Sequence, residues 1–418
     1  MNRELNWAGN LEYGAARLHH PESIEGLQEI VARARHVKAL GTRHSFNNIA
    51  DTDADLVCLD RLPPVFDLDR ERFRVTIDAG ARYGRVARAL HSHGFALPNL
   101  ASLPHISVAG ACATATHGSG DRNGCLATSV CGLEMVTANG DLARFSREQD
   151  ADLFDGVVVA LGALGVVTTL TLEVIPGFEV RQDVYTDLPV TALETCFDEI
   201  MSSAYSVSLF TNWRGDSVGQ VWLKSARESD PGPSLFGAVR ASDGIHPIVE
   251  MSAENCTAQM GVPGPWHERL PHFRMEFTPS CGEELQSEYL VPRTTAVEAL
   301  RTVREIGDQI APILLISEIR SIAADHLWLS PFHDRDSIAI HFTWRKNCPA
   351  VEALLPKTEE ALAPFDARPH WGKLFTMQPN RIRALYPRMD DFRRLMRSMD
   401  PDGKFRNAFL DRYIVLPE

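Results

Sequence analysis

The spacing of apolar residues divides the N-terminal part of the chain into short helices and strands joined by glycine turns. In residues 23–34, "SIEGLQEIVARA", apolar side chains recur every three or four positions, which predicts a helix capped by Ser23. Residues 73–78 alternate between apolar and polar side chains and predict a half-buried strand. A second helix is expected to end at Gly94, and Asn139-Gly140 predicts a hairpin that precedes a long β-branched strand.

The pattern changes after about residue 175, where longer predicted helices such as 294–310 and strands such as 337–344 follow. A chain of 418 residues is too long for one ordinary core, so we expect two domains of the α+β class. We divide the chain into residues 1–175, residues 176–395 and a tail, 396–418. The tail is too short to be a domain, and we expect it to pack back on the first one.

The composition is that of an ordinary soluble globular protein, with 44% hydrophobic and 23% charged residues. A formal net charge of -13 argues against a nucleic-acid partner. No segment resembles a signal peptide or a membrane span, so we expect a cytoplasmic protein without a membrane partner. We also expect a monomer. The eight cysteines are scattered without a CxxC pair, so we expect neither a disulfide framework nor a metal site.

Two loops are rich in small and polar residues: "GTRHSFNN" at 41–48 and the second at 107–124. Such loops expose backbone N–H groups, which bind phosphate when they cluster, so the two loops can converge on one pyrophosphate. The alternative for each loop is a tight surface turn. A GxGxxG motif between a strand and a helix is absent, which disfavours a nicotinamide dehydrogenase.

His44 stands out among the histidines because it follows a predicted strand and lies inside the first of these loops. Ser45 and Asn47 are close enough in sequence to orient its ring. An imidazole held beside an isoalloxazine can attack the 8α-methyl carbon of the flavin. Such a bond raises the reduction potential of the flavin and prevents its dissociation.

Four motifs, "LGTRHSFNNIA", "LPHISVAGACATATHGSG", "LGALGVVT" and "HWGK", together resemble those of the vanillyl-alcohol-oxidase superfamily of flavoproteins. Within it they are similar to the branch of sugar-alcohol and aldonolactone oxidases. The resemblance covers nearly the whole chain. It implies an FAD-binding α+β domain, completed by the C-terminal tail, and a substrate domain with a large sheet flanked by helices.

The resemblance also implies that FAD is attached covalently through His44. The cofactor contacts that it predicts are Gly41, Thr42, Arg43, His44, Ser45, Phe46, Ser102, Ser107, Gly110, Ala111, Cys112, Ala113, His117, Gly118, Val167 and Thr343. Position 43 departs from the family pattern, since arginine stands where glycine or another small residue is expected. Cys112 is not expected to form a second link, because nothing around it suggests an activated thiol.

Two pairs of polar residues lie at strand spacing i, i+2, where side chains share one face. Glu318 and Arg320 form the first pair, which either faces a pocket or is an exposed ion pair on the sheet. His341 and Thr343 form the second pair. Alone, His341 is more typical of a buried structural histidine and Lys373 of a surface loop. The resemblance places Lys373 at the flavin and the reacting hydroxyl. We therefore expect Lys373, Arg320, Glu318 and His341 to be the catalytic residues.

Further substrate contacts come from the resemblance. It makes Glu318, Arg320 and Ser102 polyol contacts and places Thr343 close to the flavin ring. Asp121 is expected at the rim of the pocket, where a carboxylate would alter the preference for polyols.

These residues together predict an FAD-dependent oxidoreductase that acts on CH–OH groups. It would oxidise the terminal hydroxyl of alditols such as xylitol and sorbitol to aldoses by hydride transfer to flavin N5, with O2 reduced to H2O2. The first alternative is an aldonolactone (gulono- or galactonolactone) oxidase or dehydrogenase. The others are a non-catalytic flavin-binding protein and a reductase that uses a nicotinamide. Lys373 would act either as a general base or as a fixed positive charge.

Overall fold

The structure is a computed structural model that describes residues 4–226, 230–277 and 283–415. Cys281 lies outside the described residues. The strands up to residue 176 are β1 Arg17–His19, β2 Val37–Leu40, β3 Asp55–Cys58, β4 Phe66–Asp69, β5 Arg74–Asp78, β6 Phe95–Ala96, β7 Val130–Val136, β8 Leu142–Ser146, β9 Val166–Glu173 and β10 Ile175–Pro176. The helices of this part are α1 Ile24–Arg33, α2 Tyr83–Ser92, α3 Val108–Ala113 and α4 Ala151–Val157.

The later strands are β11 Glu179–Pro189, β12 Ser206–Thr211, β13 Ser217–Ser225, β14 Ser234–Leu235, β15 Ala238–Arg240, β16 Gly264–Pro265, β17 Glu284–Pro292, β18 Leu314–Ile322, β19 Ser337–Arg345 and β20 Arg368–Pro369. The later helices are α5 Val190–Thr195, α6 Phe197–Met201, α7 Ala296–Glu305, α8 Gly307–Ile310, α9 Cys348–Ala361, α10 Pro379–Leu385, α11 Met389–Met399 and α12 Ala408–Tyr413.

The N-terminal part contains two main sheets that follow the predicted pattern. Strands β1, β3 and β2 form a parallel sheet, and β4, β5, β9, β7 and β8 form an antiparallel one. The Ser23 side chain caps α1 by accepting from Gly26 N–H, as expected. Gly94 follows α2 with φ +83°, and Gly140 turns the β7–β8 hairpin with φ +90°. The predictions of these elements are confirmed.

The second part is built on a 10-stranded antiparallel sheet in the order β14-β15-β11-β13-β12-β18-β19-β17-β20, with β16 paired to β11. Strands β18 and β19 confirm the strands expected around Glu318 and His341. The prediction of one long helix over 294–310 is wrong, because the structure divides it at Ile306 into α7 and α8. The helix breaks where Gly307 packs tightly, since a Cβ there would lie 2.4 Å from Trp213 O.

The C-terminal tail contacts the first part of the chain. Asn407 donates to the carbonyls of Asn48, Ile49 and Asp51, and Lys404 donates to the Val31 carbonyl at 2.7 Å. Helix α11 already packs on α4. The division into domains stays a prediction, and its last boundary, 395/396, falls inside α11.

No helix in the described part of the chain is both long enough and apolar enough to span a membrane.

Candidate functional site

A cavity of about 620 Å³ lies between the two parts of the chain, within the range usual for cofactor sites. Small residues from the glycine loops line one portion of it, and charged side chains from β17, β18 and β19 line another. One cavity therefore joins the predicted flavin loops to the predicted catalytic residues.

The two glycine loops meet at this cavity. The Ser107 N–H donates to Thr42 Oγ1 at 3.1 Å, and a Cβ on Gly41 would lie only 2.6 Å from Ser107 Oγ. Within the described residues, the backbone N–H groups of 42–45 donate to no protein acceptor. Convergent loops with unused N–H groups fit a phosphate-bearing cofactor, so the alternative of two unrelated surface turns is wrong.

The first loop is tied to the loop that carries Lys373. Phe46 N–H donates to the Gly372 carbonyl at 2.8 Å. The Asn47 amide donates at 2.8 Å to the carbonyls of both Trp371 and Lys373. Asn47 therefore positions the lysine loop and not the His44 ring, which corrects the role expected for it.

The His44 ring is stacked on Trp7, with centroids 5.5 Å apart and planes 20° from parallel. It lines the cavity, and its buried Nδ1 has no hydrogen-bond partner in the described residues. Burial lowers the pKa of His44 to about 4, so the ring is neutral near pH 7. A neutral imidazole with an unpaired nitrogen has the chemistry that attachment of a flavin requires.

The departure at position 43 falls on a residue with positive φ. Arg43 has a φ of +65°, the left-handed region that glycine adopts without strain. Its guanidinium is paired with Glu4, and its carbonyl accepts from Trp7 N–H at 2.8 Å. This conformation explains why a glycine is expected here, and the pairing with Glu4 accounts for the arginine side chain.

The Cys112 thiol lines the cavity but is not activated. Burial raises its pKa to about 12, and its hydrogen-bond partner is Tyr83 Oη at 3.4 Å. A protonated thiol is a poor nucleophile, in agreement with the expectation that Cys112 forms no second link.

Glu288 is the centre of the charged portion of the cavity, although the sequence did not single it out. Its side chain is fully buried on β17 and binds Arg320 Nη2 at 2.6 Å and Lys373 Nζ at 2.7 Å. Burial acts to raise its pKa, but the charges of Lys373, His117 and Arg320 hold the pKa well below its usual value. Glu288 is therefore an anion that two buried cations share.

Glu318 and Arg320 lie on one face of β18, as predicted, but are buried rather than exposed. Arg320 Nη1 lies 3.4 Å from Ser102 Oγ, and Glu318 Oε1 lies 2.7 Å from His272 Nε2. Burial raises the pKa of Glu318, but Arg320 and His272 outweigh burial and keep the pKa below its usual value. The alternative of an exposed ion pair is wrong.

Lys373 and His341 form one hydrogen-bonded unit. Lys373 Nζ donates to His341 Nδ1 at 2.8 Å, and His341 Nε2 lies 3.0 Å from Thr343 Oγ1. Burial, with the charge of Lys373, keeps the pKa of His341 well below its usual value, so the ring is neutral. Burial also lowers the pKa of Lys373, while the Glu288 charge opposes this effect.

Three of the predicted site residues do not line the cavity. Thr343 is bound to His341 as its neighbour, and Gly118 packs against Asn99 and Leu100. The Asp121 carboxylate is held by Arg293 Nη1 at 2.6 Å and Nη2 at 3.0 Å. Asp121 is therefore part of an ion pair and not of the pocket rim. The other predicted residues line the cavity: Gly41, Thr42, Arg43, His44, Ser45, Phe46, Ser102, Ser107, Gly110, Ala111, Cys112, Ala113, His117, Val167, Glu318, Arg320, His341 and Lys373.

One group of three potential metal ligands occurs among the described residues: His20, Cys58 and Asp60, with ligand atoms within 4.8 Å of one another. His20 Nδ1 is already hydrogen-bonded to Asp60 Oδ1 at 2.6 Å. The expectation that the protein uses no metal stays a prediction.

Comparisons with known proteins identify the family. Residues 15–146 match the model of an FAD-binding domain, and residues 277–413 match that of D-arabinono-1,4-lactone oxidase. Alditol oxidase of Streptomyces sp. strain IKD472 is 51% identical over 97% of both chains. This chain belongs to the alditol oxidase family. The predicted class, an FAD-dependent oxidoreductase, is confirmed.

Other relatives of this alditol oxidase family member are more distant. Bovine L-gulonolactone oxidase is 27% identical over 97% of both chains. L-gulono-1,4-lactone dehydrogenase of Mycobacterium tuberculosis is 28% identical over 98% of both. Among solved structures, cholesterol oxidase from B. sterolicum has a TM-score of 0.80 at 16% identity and covers 99% of this chain and 96% of its own. This likeness confirms the predicted α+β fold of the vanillyl-alcohol-oxidase type.

Proposed function

We propose that the protein oxidises a terminal hydroxyl of alditols such as xylitol and sorbitol to the aldose, with O2 reduced to hydrogen peroxide. The observation that carries this proposal is the buried charged cluster that shares one cavity with His44. The cluster consists of Glu288, Glu318, Arg320 and Lys373. When bound, the flavin accepts the hydride from the substrate carbon, and O2 reoxidises it.

Polyol binding is supported by neighbouring donors and acceptors in a buried site. Glu318 is an acceptor only, Arg320 is a donor only, and the Ser102 hydroxyl is both. Each hydroxyl of an alditol donates and accepts, so it satisfies such neighbours together. A substrate that lacks these hydroxyls leaves buried polar groups unpaired, which is strongly disfavoured.

The hydrogen bonds of Lys373 favour a charged role at the reacting hydroxyl. Two of its three donors bind Glu288 and His341, which leaves one for the substrate oxygen. The carboxylate of Glu288 stabilises the ammonium form. We therefore propose that Lys373 stabilises negative charge as it develops on that oxygen, rather than acting as a general base.

We also propose that FAD is covalently attached to His44, because the ring is neutral, stacked in place and unpaired at Nδ1. After denaturing electrophoresis, the wild-type band should fluoresce under ultraviolet light. His44→Ala should abolish this fluorescence. His105→Ala is the matched control and should keep it, because His105 lies near His44 but outside the cavity lining. A wild-type band without fluorescence would contradict the covalent link alone.

A peroxide assay across alditols and aldonolactones tests the substrate class. We expect a higher kcat/KM for xylitol or sorbitol than for every lactone. If gulono- or galactonolactone is oxidised faster than each alditol, the lactone alternative is correct. The cytoplasmic location and the monomeric state stay predictions, of which size-exclusion chromatography tests the second.

A further inference from the structure

Two buried polar side chains, Lys224 and His272, form a hydrogen-bonded chain that ends at Glu318 and has no part in the proposed reaction. Lys224 lies on β13 and is 1% exposed, and His272 precedes β17 and is 5% exposed. His272 lines the cavity beside Phe210 and Phe273, so the two polar groups are set in apolar surroundings. Buried polar groups in such surroundings need partners, and their partners indicate what they do.

All three donors of the Lys224 ammonium are used. They bind the Leu270 carbonyl, the Pro271 carbonyl at 3.1 Å and His272 Nδ1 at 2.9 Å. Burial lowers the pKa of Lys224 to about 7, but the charge of Glu318 opposes this effect, and three acceptors around Nζ favour the ammonium form. An ammonium has no acceptor, so His272 Nδ1 accepts from it. The proton of the neutral ring therefore lies on Nε2, which donates to Glu318 Oε1 at 2.7 Å. The His272 backbone is also fixed, since its N–H donates to the Ser102 carbonyl at 3.1 Å.

The second oxygen of Glu318 has unused capacity. Glu318 Oε2 lies 3.6 Å from Arg320 Nε, and this buried Nε has no hydrogen-bond partner in the described residues. A hydroxyl placed between them can accept from Nε–H and donate to Oε2. A polyol hydroxyl has both capacities in one atom.

We propose that Lys224 and His272 are positioning residues that determine affinity for polyhydroxylated substrates. His272, which Lys224 holds through Nδ1, occupies Glu318 Oε1 and orients Oε2, so that Oε2 and Arg320 Nε together bind a hydroxyl other than the one that is oxidised. This inference rests on the proposed alditol oxidation. Burial and the charge of Lys224 lower the pKa of His272 to about 4, so the ring has one donor and one acceptor near neutral pH.

The test is anaerobic flavin reduction by stopped flow, which separates the apparent Kd of the substrate from the reduction rate. His272→Leu should raise the Kd for xylitol at least tenfold and change the rate less than threefold. Glycerol has fewer hydroxyls and should lose less affinity. His272→Gln should restore most of the affinity, because its amide N–H replaces Nε2–H. Lys224→Met should raise the Kd for xylitol without changing flavin content.

His333→Leu is the matched control, since His333 is also buried but does not line the cavity. It should leave the Kd for xylitol unchanged. Equal Kd values in wild type and His272→Leu, or equal losses for xylitol and glycerol, overturn the positioning role while wild-type alditol oxidation stands. If the wild type reduces its flavin with lactones and with no alditol, both proposals are overturned. If His272→Leu does not fold, Lys224→Met decides the question. A Kd for xylitol equal to that of the wild type then overturns the positioning role.

Discussion

Replacement of Glu288 by glutamine is the most informative perturbation of the charged cluster. The carboxylate is fully buried and accepts from Arg320 at 2.6 Å and from Lys373 at 2.7 Å. Hydrogen bonds to charged groups contribute about 1.5–3 kcal/mol each, and glutamine keeps a carbonyl oxygen for only one of them. The two cations also lose their shared counter-charge, and removing one member of a buried ion pair costs about 3–5 kcal/mol. We expect Glu288→Gln to lower the free energy of unfolding by about 3–5 kcal/mol.

The same substitution tests the charge of Lys373. Glu288 raises the pKa of Lys373 against burial, so its loss lets that pKa fall further. The ammonium is then lost at a lower pH than in wild type. If the ammonium stabilises the reacting oxygen, the alkaline decline in the flavin-reduction rate moves to lower pH. If neutral Lys373 is a base, the rate instead begins to rise at lower pH.

Urea unfolding and the pH dependence of anaerobic flavin reduction measure these two effects. Glu359→Gln is the matched control, because Glu359 is a buried carboxylate that is hydrogen-bonded to the uncharged residues Thr376 and Tyr289. It should leave the pH profile unchanged. An unchanged urea midpoint in Glu288→Gln, together with an unchanged pH profile, would refute the central role of Glu288.

Three further substitutions test single features. Lys373→Ala should slow anaerobic flavin reduction by roughly 10²–10³, whereas Lys373→Arg, which keeps the charge, should recover part of the rate. Equal rates in Lys373→Ala and wild type would contradict a catalytic role. Arg43→Gly should keep the fluorescent flavin band, whereas Arg43→Val should be less stable than wild type in urea unfolding, because a β-branched side chain is more strained than arginine at positive φ. Asp121→Asn should leave the kcat/KM ranking of polyols unchanged, since Asp121 pairs with Arg293 outside the cavity lining; a changed ranking would restore the rim role.

Local features of the sequence were sufficient for the helices and strands predicted in the N-terminal part and for the flavin loops. The cap at Ser23, the turn at Gly140 and the i, i+2 spacing of Glu318 and Arg320 depend on neighbouring residues only, and the structure contains all of them. The meeting of the two glycine loops was predicted from their exposed backbone N–H groups, which can converge on one pyrophosphate. These features need no knowledge of how distant strands pair.

Glu288 could not be predicted in this way, because its importance depends on strand register. It lies opposite His341 in the β17–β19 pair, and His341 lies opposite Glu318 in the β18–β19 pair. This cross-strand row brings together residues far apart in the chain, and a one-residue slip would reverse their faces. The available signal was a glutamate that directly precedes the apolar run Tyr289, Leu290 and Val291. The expected position of Asp121 failed for the same reason, since the pairing with Arg293 joins two distant segments.

The hydrogen bonds of Asn47 connect the loop that carries His44 to the loop that carries Lys373. A single amide bridges the carbonyls of Trp371 and Lys373, and Phe46 N–H binds Gly372 beside them. The loop that holds His44 is thereby fixed to the loop that holds Lys373, although one belongs to the N-terminal part and the other follows the large sheet. Catalytic groups must keep their geometry to within a fraction of an ångström, and rigid support achieves this. His44, the proposed attachment point of the flavin, and Lys373, the proposed charge at the reacting oxygen, are therefore positioned by the same contacts.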